Sequence, residues 1–366
     1  MISVELLPAA HGDSIWIEYG TEPELHRILI DGGPAHTYES GLRRRIAALG
    51  GAECKLDLMV VTHIDADHID GALILLQELD ELNVGIDELW FNGWDQLPKK
   101  AGARAAYAPL QGEFLGGLIT VDPELEGIWN QEFDHEAVVV PDDGDEDNLL
   151  PEIQLDGDAK LILLGPGERE LHRLRSRWSS AIRDFTPGDV EEALRRLEER
   201  RQYQPPAAPA IYAPAQYGSD RSPANGSSIS FVFERDDVAI LFAGDAHARS
   251  LALSLERLAA QRRVNKVRFD AVKLPHHGSM GNVTEDWLKR VDCERWLIST
   301  NGDVFHHPDV ETAELVARHC QKPPTMFCNY RSTWTERLEK TASGEWVTVF
   351  PEGGLRGPAE GLRLNW

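Results

Sequence analysis

Cysteine is scarce in this 366-residue sequence: Cys54, Cys293, Cys320 and Cys328 stand far apart, with no CxxC pair among them. A disulfide framework and a thiolate zinc site are therefore disfavoured, and a reducing, cytoplasmic setting is expected. Long apolar runs are missing too. Stretches such as Leu73–Leu76 and Leu161–Leu164 fall far short of the roughly 20 residues that cross a bilayer, so no membrane partner is expected. Residues 1–8 have neither a cationic start nor a long apolar stretch and read as a first strand, not as a signal peptide. Basic residues are in deficit, 37 Lys and Arg against 61 Asp and Glu, for a formal charge of −24. A surface of that sign repels phosphate backbones, which disfavours a protein that coats duplex DNA without excluding an enzyme that cuts nucleic acid.

What is present points to a folded α/β protein. Apolar residues make up 42% of the chain and there are ten tryptophans, enough to build a core. Short apolar runs at 15–17, 28–30, 58–61, 161–164, 229–233, 238–242, 271–274 and 296–299 read as strands, and helical spacing marks 42–49, 71–82, 248–260 and 310–319. The alternation argues for layers with helices outside sheets, in a single domain spanning 1–366. Two stretches break the pattern and read as inserts. Residues 94–150, with a Gly-rich segment at 112–117 and the acidic run 142–147, read as surface loop. Residues 167–224 carry Arg169, Arg173, Arg175, Arg177 and Arg183, then a helix from Asp189 to about Tyr203 with an apolar stripe, then a Pro-rich passage. That stripe needs a surface to cover, so a cap over the site or a homo-oligomer or protein-partner contact is expected.

The chemistry concentrates at Thr62-His63-Ile64-Asp65-Ala66-Asp67-His68, directly after an apolar strand and before a helix. Four potential metal ligands in six residues, on a loop that turns alternate side chains to different points, can feed two adjacent cations. A second apolar strand stops at Gly244-Asp245 and a third at His276-His277. Each is an ordinary turn taken alone, and becomes informative by following the first motif at a strand end.

Together with His11-Gly12-Asp13-Ser14, Asp31-Gly32-Gly33, Asn225-Gly226-Ser227-Ser228, Ser299-Thr300-Asn301-Gly302, His306-His307-Pro308 and the closing stretch from Gly344, these motifs make the chain resemble metallo-β-lactamase-fold hydrolases. Within them it is similar to the soluble hydrolase domain of ComEC-type competence proteins. The resemblance implies an αββα sandwich with the site at one edge and two divalent ions, Zn or Mn, with Mg as an alternative. It implies His63 and Asp65 on one metal, Asp67 and His68 on the other, Asp245 bridging, and His276 completing the second site. His277, Asn225 and Ser228 fall outside the ligand shell, with the choice between His276 and His277 open. Asp65 replaces the superfamily's usual His, and Asn225 and Ser228 stand where another His is common. These exchanges make the first site harder and shift its preference toward Mn²⁺ or Mg²⁺.

The expected function is a metal-dependent hydrolase, a phosphodiesterase with nuclease-like activity that uses a metal-bound hydroxide on a phosphodiester or single-stranded nucleic acid. Asp31, Asp67 or Asp245 would steer the water's proton, and His307 would serve the phosphoryl or leaving group. The alternatives are hydrolysis of a lactam, lactone or phosphorylcholine ester at the same site, and a non-catalytic interaction protein that keeps the fold.

Overall fold

Several strands of this chain are apolar on both faces, and the architecture explains why. The computed structural model describes all residues except 51–53, 99–109, 143–148, 182–185, 203–217, 342–343 and 352–360. Two large sheets carry the fold. One runs Leu362–Asn365, Ile2–Leu6, Ile15–Thr21, Glu24–Ile30, Leu58–Val60, Leu89–Trp90. The other runs Val347–Val349, Thr325–Cys328, Arg295–Ile298, Ala271–Lys273, Val238–Phe242, Ser230–Arg235, Ala159–Gly165, Glu152–Leu155. Because side chains alternate along a strand, Ile28, Ile30, Leu58 and Val60 join Leu161, Leu163, Phe231 and Phe233 in one core. Leu29, Met59 and Val61 point the other way, into a second core with Ile69, Leu73 and Leu76 of helix Ala66–Gln77. This is the α/β sandwich with helices outside that the sequence implies.

Parallel pairing positions the site. Val238–Phe242, Ala271–Lys273, Arg295–Ile298 and Thr325–Cys328 are successive parallel neighbours, and each crossover between them needs a connection that returns the chain. Helices Ala248–Gln261, Glu285–Leu288 and Val310–His319 lie within those connections, burying Leu251, Leu255, Leu258, Trp287 and Val316. Glu24–Ile30 and Leu58–Val60 are likewise parallel. Parallel strands end at the same edge, and there their loops collect side chains.

The two inserts differ from the sequence expectation. The Gly-rich stretch expected to be surface loop is part of a helix, Leu110–Val121, that buries Phe114, Leu115 and Ile119. A Cβ on Gly112 would lie 2.5 Å from the ring of Trp178 in helix Glu168–Ala181, so glycine here permits close approach of the two helices. The apolar stripe of Val190–Gln202 finds its surface on the same helix, with Gly117 beside Ala193 and Leu194. Ala193 and Leu197 of the stripe are thereby buried within the chain. The acidic run after Asp142, the Pro-rich passage up to 217 and Arg183 lie outside the described residues. A further strand after the expected closing one, Leu362–Asn365, pairs antiparallel with Ile2–Leu6. Among the described residues, no helix is long and apolar enough to cross a membrane.

Candidate metal centre

Five loops from the two sheets meet at one edge. Asp31 follows Glu24–Ile30, His63 follows Leu58–Val60, Asp245 follows Val238–Phe242, His276 and His277 follow Ala271–Lys273, and His307 lies beyond Arg295–Ile298. Several of these residues hold left-handed backbone: Asp31 at φ 59°, His276 at 47°, His277 at 54° and His306 at 64°. For residues other than glycine that costs about 1–3 kcal/mol each, a cost that surrounding structure must offset and that clusters at functional sites. The approach of helix Ala66–Gln77 is set by glycine. A Cβ on Gly71 would fall 2.0 Å from the Gly32 carbonyl oxygen, and the Gly32 and Gly71 N–H groups donate to His68 O and Gly33 O, each at 2.8 Å. That contact brings His68 against Asp31.

Three imidazoles share one orientation logic. His68 Nδ1 donates to Asp31 Oδ2 at 2.8 Å. Thr62 gives its hydroxyl proton to the same carboxylate oxygen at 2.7 Å, so its Oγ1 accepts from His63 Nδ1 at 3.0 Å. His277 Nδ1 donates to the Ser299 carbonyl at 2.8 Å. Fixing Nδ1–H in this way leaves each Nε2 as a lone-pair donor aimed inward, the arrangement metal-binding histidines use. The Nε2 atoms of His63, His68 and His277, with Asp245 Oδ1, are buried without a hydrogen-bond partner. His63, His68 and Asp245 form one group whose ligand atoms lie within 4.8 Å of one another, and Asp67, His68 and His277 form another. His68 Nε2 is 3.6 Å from Asp245 Oδ2 and 3.8 Å from Asp67 Oδ2, and His277 Nε2 is 3.4 Å from Asp67 Oδ2. Asp65 precedes the helix but its side chain makes no capping bond. Its carboxylate is 43% exposed, 3.7 Å from His63 Nε2, at the open side of the nest.

The electrostatics of the nest suit a cation. Burial disfavours the charged form of Asp245, yet the imidazoles of His68, His276 and His277 hold its carboxyl well below the usual range. Burial opposes ionisation of Asp67 as well, and His68 and His277 hold it low. Burial alone would lower His68, but the carboxylates of Asp245, Asp67 and Asp31 raise it well above its ordinary value. The same competition pushes His277 up to about 9. A buried nest that draws protons this strongly, and leaves imidazole lone pairs unpaired, fits divalent metal.

The structure sorts the sequence-derived candidates. His63, Asp65, Asp67, His68 and Asp245 are brought together. The paired histidines are placed differently: His277 is fully buried with Nε2 facing Asp67, whereas His276 is at the open side, its Nδ1 bonded to Asn282 Oδ1 at 2.9 Å and its Nε2 3.8 Å from Asp245 Oδ2. Asp31 is removed from proton steering, because Oδ1 accepts from the Thr62 N–H and Oδ2 from Thr62 Oγ1 and His68 Nδ1. It is a positioning residue. Ser228 Oγ accepts from the Asp245 N–H at 3.0 Å and lies 3.3 Å from His63 Nδ1. Asn225 Nδ2 donates to Asp220 Oδ2 at 2.8 Å. His307 is buried, its pKa lowered by burial, with Nδ1 3.4 Å from Asp309 and its ring 5.3 Å from that of His276. Arg175 is spent on structure, with its guanidinium 3.9 Å over Trp94 and bonded to the Trp94 and Leu97 carbonyls. Arg169 and Arg173 line grooves beside helix Ala248–Gln261.

Sequence reasoning gave no role to four supporting residues. Lys273 is buried and bonded to Asp13 Oδ2 at 2.6 Å, and Asp13 Oδ1 is 3.5 Å from His277 Nδ1. Asp220 and Asn282 hold the side of the nest behind His276. A lysine inside an apolar strand and an Asp at a strand start were the available signals.

Residues 10–172 match the model of the metallo-beta-lactamase superfamily. The match covers a little under half of the chain and agrees with the two-sheet sandwich and the His/Asp nest at its strand ends. No curated protein matches. Similar solved structures include a mutant of CmlA beta-hydroxylase, at 11% identity and TM-score 0.39, covering 99% of this chain and 54% of that one. Another is CmlA, a diiron beta-hydroxylase from Streptomyces venezuelae, at 13% identity and TM-score 0.37, covering 86% and 50%. The chain spans about half the length of these two structures.

Proposed function

We propose that this protein is a metal-dependent hydrolase of phosphodiesters that uses two divalent cations. The observation that carries the reading is the pair of buried ligand groups that share His68, one with His63 and Asp245 and the other with Asp67 and His277. His63 and Asp65 would hold one cation, Asp67, His68 and His277 the other, with Asp245 between them. Bound there, the cations would supply Lewis acidity toward a phosphoryl oxygen and acidify a water.

The chain's own groups do the rest. Asp31 and Ser299 fix two imidazole tautomers. Asp67, buried against the His277 ring with Oδ2 3.4 Å from its Nε2, would receive the water's proton. His307, backed by Asp309, is placed to support the leaving group's oxygen. The oxygen-rich donor set, with Asp65 in place of histidine, favours Mn²⁺ or Mg²⁺ chemistry on phosphate over a purely nitrogen-bound zinc site. The motif resemblance to ComEC-type hydrolases supports the same choice, including nuclease-like activity. The inward use of Arg175 gives polymer binding no support.

Hydrolysis of bis-p-nitrophenyl phosphate tests the reading. Turnover is expected with Mn²⁺, faster than with Mg²⁺, and a loss of about a hundredfold or more in His68→Ala. Rapid cleavage of a chromogenic lactam or of a phosphorylcholine ester, with phosphodiesters ignored, would overturn it.

A further inference from the structure

Aromatic rings border the metal nest on one side. Phe305 lies parallel to His277, with 2° between the rings and 6.4 Å between centroids, and near-parallel to His307 at 6.5 Å. The rings of His11 and His276 meet it edge-on, at 5.6 and 6.1 Å. His11 continues this surface outward by stacking on His36 at 5.9 Å and 19°. Phe305 and His11 are each partly exposed and His36 is exposed, so the wall faces solvent and is not core. Its inner end is the ring of His277, whose Nε2 is 3.4 Å from Asp67.

A phosphodiester held at the nest with one ester group turned toward Phe305 would lay that group against this wall. Planar rings meeting edge-to-face and in parallel prefer another planar π-face to an aliphatic chain, because the quadrupoles and the flat contact area both match. Resting on the phosphodiesterase reading, we propose that Phe305 and His11 form a stacking platform that selects phosphodiesters bearing a nucleobase. The substrate class is thereby narrowed to nucleotides, with the base on the ring wall and the phosphate at the metals. The platform reads a π-face and not base edges, so preference among the bases is expected to be small.

Calorimetric titration of the metal-loaded protein with AMP and with ribose 5-phosphate tests this without requiring turnover. AMP is expected to bind about tenfold or more tightly than ribose 5-phosphate, the scale of one base–aromatic stack. Phe305→Ala should bring the two ligands to within about threefold with metal content retained, and Phe305→Trp should keep the gap. His11→Leu, which removes the outer ring, should narrow the gap in part. Equal affinities in the unsubstituted protein, no binding of either ligand, or an undiminished gap in Phe305→Ala would each overturn the platform. AMP preference without hydrolysis of any phosphodiester would sustain the platform and defeat the proposed reaction, so the two failures are distinguishable.

Discussion

The strand-end nest and the helical layer on the outer face of the first sheet are built by different means. Around the nest, single side chains are held at fixed atoms: Asp31 on His68, Thr62 on His63, Ser299 on His277. In the layer formed by Leu110–Val121, Glu168–Ala181 and Val190–Gln202, small residues and large rings interlock, with Glu113 accepting from Trp178 Nε1 at 2.6 Å and from the Gly188 N–H at 2.9 Å. The nest depends on the identity of a few donors. Apart from the Glu113 hydrogen bonds, the layer depends on shape and tolerates apolar exchange as long as volume is kept. Metal binding and stability should therefore separate under mutation.

The strongest break falls on the shared ligand. Asp245→Ala should leave less than about a tenth of the normal metal by elemental analysis, because in the proposed centre its carboxylate would stand between the two cations. Full metal content would remove Asp245 from the centre. The paired histidines sharpen the picture next: His277→Ala should weaken metal affinity by about a hundredfold, and His276→Ala by about tenfold or less. The reverse order in a competition titration would restore His276 as the ligand.

On the other side of the comparison, Trp178→Ala should cost about 3–5 kcal/mol in denaturant unfolding by opening a cavity between helices, with metal stoichiometry unchanged. Metal loss in proportion to stability would show that the two regions are not separable.

The smallest effect is on pH. In metal-free protein His68 and His277 are raised above their ordinary value near 6.5, so the stability they contribute is present below that pH. It is lost as pH rises through the folded value, about 9 for His277. Asp67 and Asp245 are depressed, so their contribution persists down through pH 4. The thermal midpoint of chelator-treated protein should fall between pH 6.5 and 9, while metal-loaded protein, with cations in place of those protons, stays level. Parallel curves would contradict the electrostatic account.

The same contrast explains what could be read in the sequence. His63, Asp65, Asp67 and His68 were legible because ligand chemistry is a property of residue type, and their strand-end placement followed from the apolar run before them. Helix Val310–His319 matched its expected span because its period is regular. The facing of His276 and His277 was not legible. Two adjacent residues in left-handed backbone reverse the usual alternation, and nothing local announces that. The partner of the 190–202 stripe was also hidden: an apolar face announces that something covers it, and only the tertiary fold says what. The three glycines within 110–121 suggested a loop by propensity, and close packing against Trp178 and Leu194 overrode it.

The buried contact between Lys273 and Asp13 has a consequence for how the chain assembles. Asp13 comes from the start of the sequence and Lys273 from a central strand of the other sheet, and the superfamily match, 10–172, ends before Asp245, His276 and His277. Neither half of the chain owns the centre. The ion pair acts as a clasp: separated, each half exposes a stranded charge in apolar surroundings, and closing the two sheets both neutralises that charge and completes the ligand set. Metal affinity would in this sense be a gauge of sheet docking, and a fragment that carries only the His63–His68 motif would hold half of the ligand set proposed above.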